Sequence, residues 1–282
     1  MAVPCWRRGP GSAQPVPWAA ALALTLALLP AAGSAAPAEP AAPAPAAYVA
    51  VPGGTLQSVL GGGAKGGPVE VAPFEMRVLP VTQGELEGFV RSHPEWQRGQ
   101  VAQVFADADY LRDWPSPLDA PAGAASRPAT NVSWFVAQAY CESEGARLPT
   151  WTEWEYTAAA DATRRDARQD PVWLAKILGW YARPADSLLP AVGGAANVYG
   201  VRDLHGLVWE WVDDFNALLV NPDSRSADDA DRLKFCGAGA ISLEDKQNYA
   251  VLMRIALLSS LDASNSTASL GFRCARPAKE KS

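Results

Sequence analysis

Along the chain, apolar residues fall into a few helical stretches and short strand-like runs, separated by long segments with no period. Val69 to Leu79 mixes β-branched and apolar residues with turn formers, the pattern of short strands joined by turns. Thr82-Gln83-Gly84-Glu85 has the spacing of a capping box, in which Thr and Glu side chains satisfy each other's free backbone N–H groups. The helix it opens places Leu86, Phe89 and Val90 on one face and stops at Pro94, with His93 capping its C-terminus. Residues 115–130, rich in Pro, Ala and Gly, read as a surface loop. Ser133 caps a second helix whose inward face is Phe135, Val136, Ala139 and Tyr140, and Gly145 ends it. A third helix follows Thr150, with Glu153 three residues on and Trp154 and Tyr156 as aromatic anchors. Residues 161–196 read as loop rather than regular element. Regular elements are therefore few and short, and much of the backbone needs something other than ladders to hold it.

The N-terminal segment has a different pattern. Arg7-Arg8, an apolar run from Ala19 to Leu29, and small residues after Pro30 make a secretory leader over residues 1–35, too short to span a bilayer. Residues 36–47 are dominated by Ala and Pro and read as an extended tether, so the folded domain is expected at 48–278. With the leader removed, no transmembrane segment is expected, and the location is periplasmic or secreted.

Composition narrows the chemistry. The chain has 282 residues, 49% hydrophobic and 19% charged, which buries a core. Its net charge is −6 with no basic cluster, so a nucleic-acid partner held by counterion release is excluded. Only two histidines occur, His93 and His205, which excludes a three-histidine metal site. His205 reads as a surface residue. Three cysteines follow the leader, Cys141, Cys236 and Cys274; in an oxidising compartment two of them can pair, and spacing does not choose which.

Four phrases are too specific to be propensity. They are Asn131-Val132-Ser133-Trp134 leading to Ala139-Tyr140-Cys141-Glu142 and Gly145-Ala146-Arg147-Leu148-Pro149-Thr150; Glu153-Trp154-Glu155-Tyr156; Asn197-Val198-Tyr199-Gly200 through Gly206-Leu207-Val208-Trp209-Glu210-Trp211; and Leu270-Gly271-Phe272-Arg273-Cys274-Ala275. In this order they resemble the formylglycine-generating enzyme family, the sulfatase-modifying-factor domain, over roughly residues 48–277. The resemblance implies a compact α+β fold, related to C-type lectin domains, with little regular secondary structure. It also implies a disulfide between Cys141 and Cys274, a closure that stabilises by roughly 4–5 kcal/mol in the chain-entropy model. Cys236 is then the odd thiol.

The family's metal chemistry maps unevenly. Asp203, Gly206, Val208 and Glu210 stand where relatives bind calcium, two carboxylates with two backbone carbonyls between them. The competing reading has Asp203 capping a turn and Glu210 paired with Arg147 or Arg273. Formylglycine-generating members bind copper(I) through two thiols in a Cys-x4-Cys spacing. Here the segment is Lys234-Phe235-Cys236-Gly237-Ala238-Gly239-Ala240, and no register supplies a thiol pair: one alignment puts Ser242 and Gln247 there, the other Asp245 and Ala250. Cys236 is a candidate copper or redox thiol, or a buried small hydrophobe. Glu244 and Asp245 are a candidate acid/base pair, or an exposed helix cap. The stretch from Val251 to Leu261 reads as a buried helix or strand carrying Arg254, the position of a family arginine.

The expectation is an accessory or maturation protein acting on another exported protein or peptide, without standard formylglycine generation. Two alternatives are a copper- or thiol-dependent oxidative enzyme using Cys236, and a non-catalytic peptide-binding module.

Overall fold

The computed structural model describes residues 47–58, 67–181, 188–217 and 249–279. The two ends of the domain meet in one sheet. Strand β4 (Phe74–Arg77) lies between β1 (Tyr48–Val51) and the last strand, β7 (Ala275–Pro277), both antiparallel, with Met76 opposite Val49 on one side and Ala275 on the other. β2 (Gly54–Ser58) and β3 (Gly67–Val71) form a second antiparallel pair. β5 (Trp209–Glu210) and β6 (Leu270–Gly271) form a two-residue parallel one. The turn after β1 depends on Gly53: its φ is +71°, and an added Cβ would sit 2.2 Å from the Val71 carbonyl oxygen.

Three helices start where the sequence says they should. Thr82 and Glu85 make the reciprocal capping box at the head of α1 (Gln83–Ser92), which buries Leu86, Phe89 and Val90. At its other end, His93 Nδ1 lies 2.9 Å from the Phe89 carbonyl oxygen, within hydrogen-bond reach of the helix C-terminus. Ser133 caps α2 (Trp134–Ser143) and Thr150 with Glu153 caps α3 (Trp151–Ala158). Helix α2 ends in a Schellman motif: Ala146 N–H donates to Cys141 and Gly145 N–H to Glu142, with Gly145 at φ +67°.

Two expectations are corrected. The buried face of α2 is Val136, Ala137, Tyr140 and Cys141, so Phe135 and Ala139 are only half-buried. Position 141 must face inward to reach Cys274, and that rotates the face by about a residue. The segment expected to be loop over 161–196 contains a helix, α4 (Pro171–Tyr181). Its start is marked by Asp170, whose carboxylate accepts from the N–H groups of Val172 and Trp173, and by Pro171 in the first turn. A fifth helix, α5 (Tyr249–Ser259), carries Arg254, as the apolar run from Val251 predicted.

The core is one cluster in which Phe74, Met76, Leu86, Trp151, Trp211 and Phe272 are almost wholly buried. Long loops are tied to it by side chains. Buried Arg77 pairs with Glu85 and, at 2.8 Å, with Glu144, which also accepts from Tyr48 and Tyr140. The Cys141–Cys274 disulfide joins α2 to the segment before β7 across 133 positions of sequence.

Candidate functional site

The motif residues lock onto one another. Trp211 Nε1–H donates to the Val132 carbonyl and Trp134 Nε1–H to that of Val212, each at 3.0 Å, so the two Trp-bearing motifs clasp reciprocally. Arg147 forms a two-point ion pair with Glu153 at 2.6 and 2.7 Å. At Gly271, a Cβ would come 2.5 Å from the Ala129 carbonyl oxygen, so that motif glycine is required by packing.

Glu210 and Arg273 lie at the centre of this framework, and neither side chain has any solvent exposure. Arg273 donates through Nε and Nη2 to the two Glu210 oxygens at 2.8 and 2.7 Å, and its other donors reach the carbonyls of Arg77, Val78 and Arg202. Trp154 Nε1–H adds a third bond to Glu210, at 2.7 Å. The guanidinium fork matches the carboxylate, and every donor has an acceptor.

Of the two readings of Glu210, this arrangement displays the ion pair. A carboxylate that binds calcium turns lone pairs toward the ion. Glu210 already has its countercharge in Arg273, while Asp203 accepts from the N–H groups of Gly193 and Gly194 at 2.7 and 2.9 Å. Of the calcium candidates Asp203, Gly206, Val208 and Glu210, the two carboxylates thus already accept hydrogen bonds from the protein, and the ion-pair partner of Glu210 is Arg273 rather than Arg147. No group of three or more His, Cys, Asp or Glu side chains suited to a metal occurs among the described residues.

His205, read from the sequence as a surface residue, is half-buried. Its Nε2–H donates to the Ala158 carbonyl at 2.9 Å, and Nδ1 is buried with no hydrogen-bond partner. The ring packs edge-on against Trp154 and Trp173, with centroids 5.6 and 5.4 Å away. Burial pushes its pKa down to about 4, with Arg254, Lys176 and Arg273 adding to the shift, so the imidazole is neutral near pH 7. Arg254 stacks 3.5 Å over the Trp154 ring and donates to the Glu210 backbone carbonyl, which joins this aromatic cluster to the central ion pair.

Beside His205, a cavity of about 540 Å³ lies between α4 and residues 195–206. Trp173, Ile177 and Trp180 supply one wall at helical spacing, and Leu204 and His205 supply the other. Lys176, Asp161 and Asp203 contribute charge. Asp161 is held by Arg164 and nearby backbone N–H groups, which keep its carboxyl well below the usual range. Sequence reading missed this site because it took 161–196 as loop; Asp170-Pro171 was the available indication of a helix.

The predicted catalytic candidates Cys236, Glu244 and Asp245 lie outside the described residues, as do the leader and all but the end of the tether. Cys141 and Cys274 are joined, as the resemblance implied. No helix among the described residues is long and apolar enough to cross a membrane.

Residues 34–278 match the family described as the sulfatase-modifying factor enzyme 1-like domain. The inactive C-alpha-formylglycine-generating enzyme 2 of Bos taurus is 29% identical, covering 73% of this chain and 78% of its own length. The formylglycine-generating enzyme of Streptomyces coelicolor is 29% identical over 74% of this chain and 80% of its own. The hercynine oxygenase of Mycolicibacterium smegmatis is 31% identical over 51% of this chain, which spans only 37% of that protein.

Proposed function

The chain belongs to the family of the sulfatase-modifying factor enzyme 1-like domain, and from that premise we propose an exported accessory or maturation protein that acts on another exported protein or peptide without two-thiol oxidase chemistry. The observation that carries this reading is the cysteine count. Of four cysteines, Cys5 falls in the expected leader and Cys141 and Cys274 are bonded to each other, which leaves Cys236 as the domain's single thiol. Holding copper(I) between two thiolates needs a second one. Several motif side chains are committed to the scaffold: Glu210 to Arg273, Arg147 to Glu153, Trp134 and Trp211 to backbone carbonyls. Similarity to a protein named as an inactive formylglycine-generating enzyme is in keeping with a scaffold kept while that chemistry is lost. A disulfide across so long a loop suits an oxidising compartment, which supports export.

The test incubates the protein with copper(I), oxygen and a cysteine-containing sulfatase-type peptide, read by mass spectrometry. The peptide is expected back unmodified, with copper(I) affinity the same in Cys236→Ser. A partner co-purifying equally with wild type and Cys236→Ser would support the accessory role. Formylglycine production that disappears in Cys236→Ser would overturn it.

A further inference from the structure

We propose that the cavity between α4 and residues 195–206 binds an aromatic carboxylate, with the ring among Trp173, Trp180 and His205 and the carboxylate at Lys176. This goes beyond the accessory role and does not depend on it. The cavity, about 540 Å³, falls in the range of small-molecule sites, which are mostly apolar with a few placed polar groups. Two indoles and a neutral imidazole on facing walls favour a flat ring over an aliphatic chain of equal volume.

The charge argument concerns which groups are already paired. Asp161 and Asp203 share the cavity with Lys176, yet neither bonds to it. Asp161 is compensated by Arg164 and Asp203 by the N–H groups of Gly193 and Gly194. Lys176 has no carboxylate partner among the described residues, so it is the one lining charge left for a ligand, and it calls for an anion. Because it sits on the exposed side of α4, the anionic end lies toward solvent and the ring inward.

An aromatic carboxylate has two sources, a free aromatic acid or a peptide with a C-terminal aromatic residue. Calorimetric titration of the full chain with phenylacetate, 2-phenylethanol, Ala-Ala-Tyr and amidated Ala-Ala-Tyr separates them. Phenylacetate is expected to bind about 5-fold tighter than 2-phenylethanol, a margin that Lys176→Met removes. A free-acid site binds Ala-Ala-Tyr no tighter than phenylacetate; a peptide site binds it about 10-fold tighter and rejects the amide. Either result supports the shared chemistry.

Trp173→Ala is expected to weaken binding at least ~10-fold. If that variant unfolds, Gly179→Phe replaces it: Gly179 lines the cavity on α4, and a Cβ there meets nothing within 4 Å, so a larger side chain is tolerated and is expected to narrow the site. No saturable binding of any probe below about 10 mM, or binding unchanged by both Gly179→Phe and Lys176→Met, overturns the assignment.

Discussion

Replacing Glu210 by Gln removes one negative charge from a place water does not reach and changes side-chain volume very little. Arg273 cannot move out to solvent: both side chains have no exposure, and its remaining donors are fixed on the carbonyls of Arg77, Val78 and Arg202. The amide oxygen of Gln can accept one of the two guanidinium bonds, but the amide nitrogen then faces N–H donors from Arg273 or Trp154. Breaking a buried ion pair from one side costs about 3–5 kcal/mol, because an uncompensated charge stays inside. In a domain of this size each kcal/mol lowers Tm by about 2–4 °C, so the expected fall is roughly 6–20 °C. Thermal melting followed by near-ultraviolet circular dichroism reads it directly. The double variant Glu210→Gln with Arg273→Met should be less destabilised than the sum of the single changes, since the orphaned charge is gone. A single-variant loss under 1 kcal/mol, or strict additivity in the pair, would refute the reasoning.

If the Glu210–Arg273 pair holds this region by itself, excess EGTA should leave the wild-type Tm unchanged, and a fall of several degrees would favour the calcium assignment. Replacing both Cys141 and Cys274 by Ser should cost up to about 5 kcal/mol, the chain-entropy figure for a closure of this length, measured by denaturant unfolding; a cost below 1 kcal/mol would mean the unfolded chain is not constrained by the bond. His205 gives a pH dependence of defined sign. Its folded pKa of about 4 lies below the unfolded 6.5, so the stability it supports is present above pH 6.5 and is lost as pH falls through 4, a swing of at most about 3 kcal/mol. The groups facing it are Arg254, Lys176 and Arg273, which oppose its protonation, and Asp161 and Asp203 line the same cavity. Comparing urea midpoints from pH 7 to 4 in wild type and His205→Leu isolates the effect, and identical slopes would exclude it.

Much of the framework was legible in the chain because its signals are local. The capping boxes at Thr82 and Thr150, the Ser133 cap and the Gly145 stop depend on residues within a turn of one another, and each is realised. The Asp170-Pro171 start was equally local and went unread, because the Arg and Asp residues before it and the Pro and Gly after it dominated the composition. The inward face of α2 was misjudged by about a residue, since the choice between neighbouring faces is made by what α2 packs against, including the bond from Cys141 to Cys274.

The chain alone determined the family scaffold, the short elements and the want of a second thiol near Cys236, because these follow from residue identity and spacing over a few positions. Only the tertiary structure decided that Glu210 pairs with Arg273 rather than Arg147, that His205 is a half-buried ring against Trp154 and Trp173, and that α4 walls a cavity with Lys176 at its edge. Those facts join residues tens of positions apart, and which charge neutralises which depends on burial and geometry that no local pattern encodes.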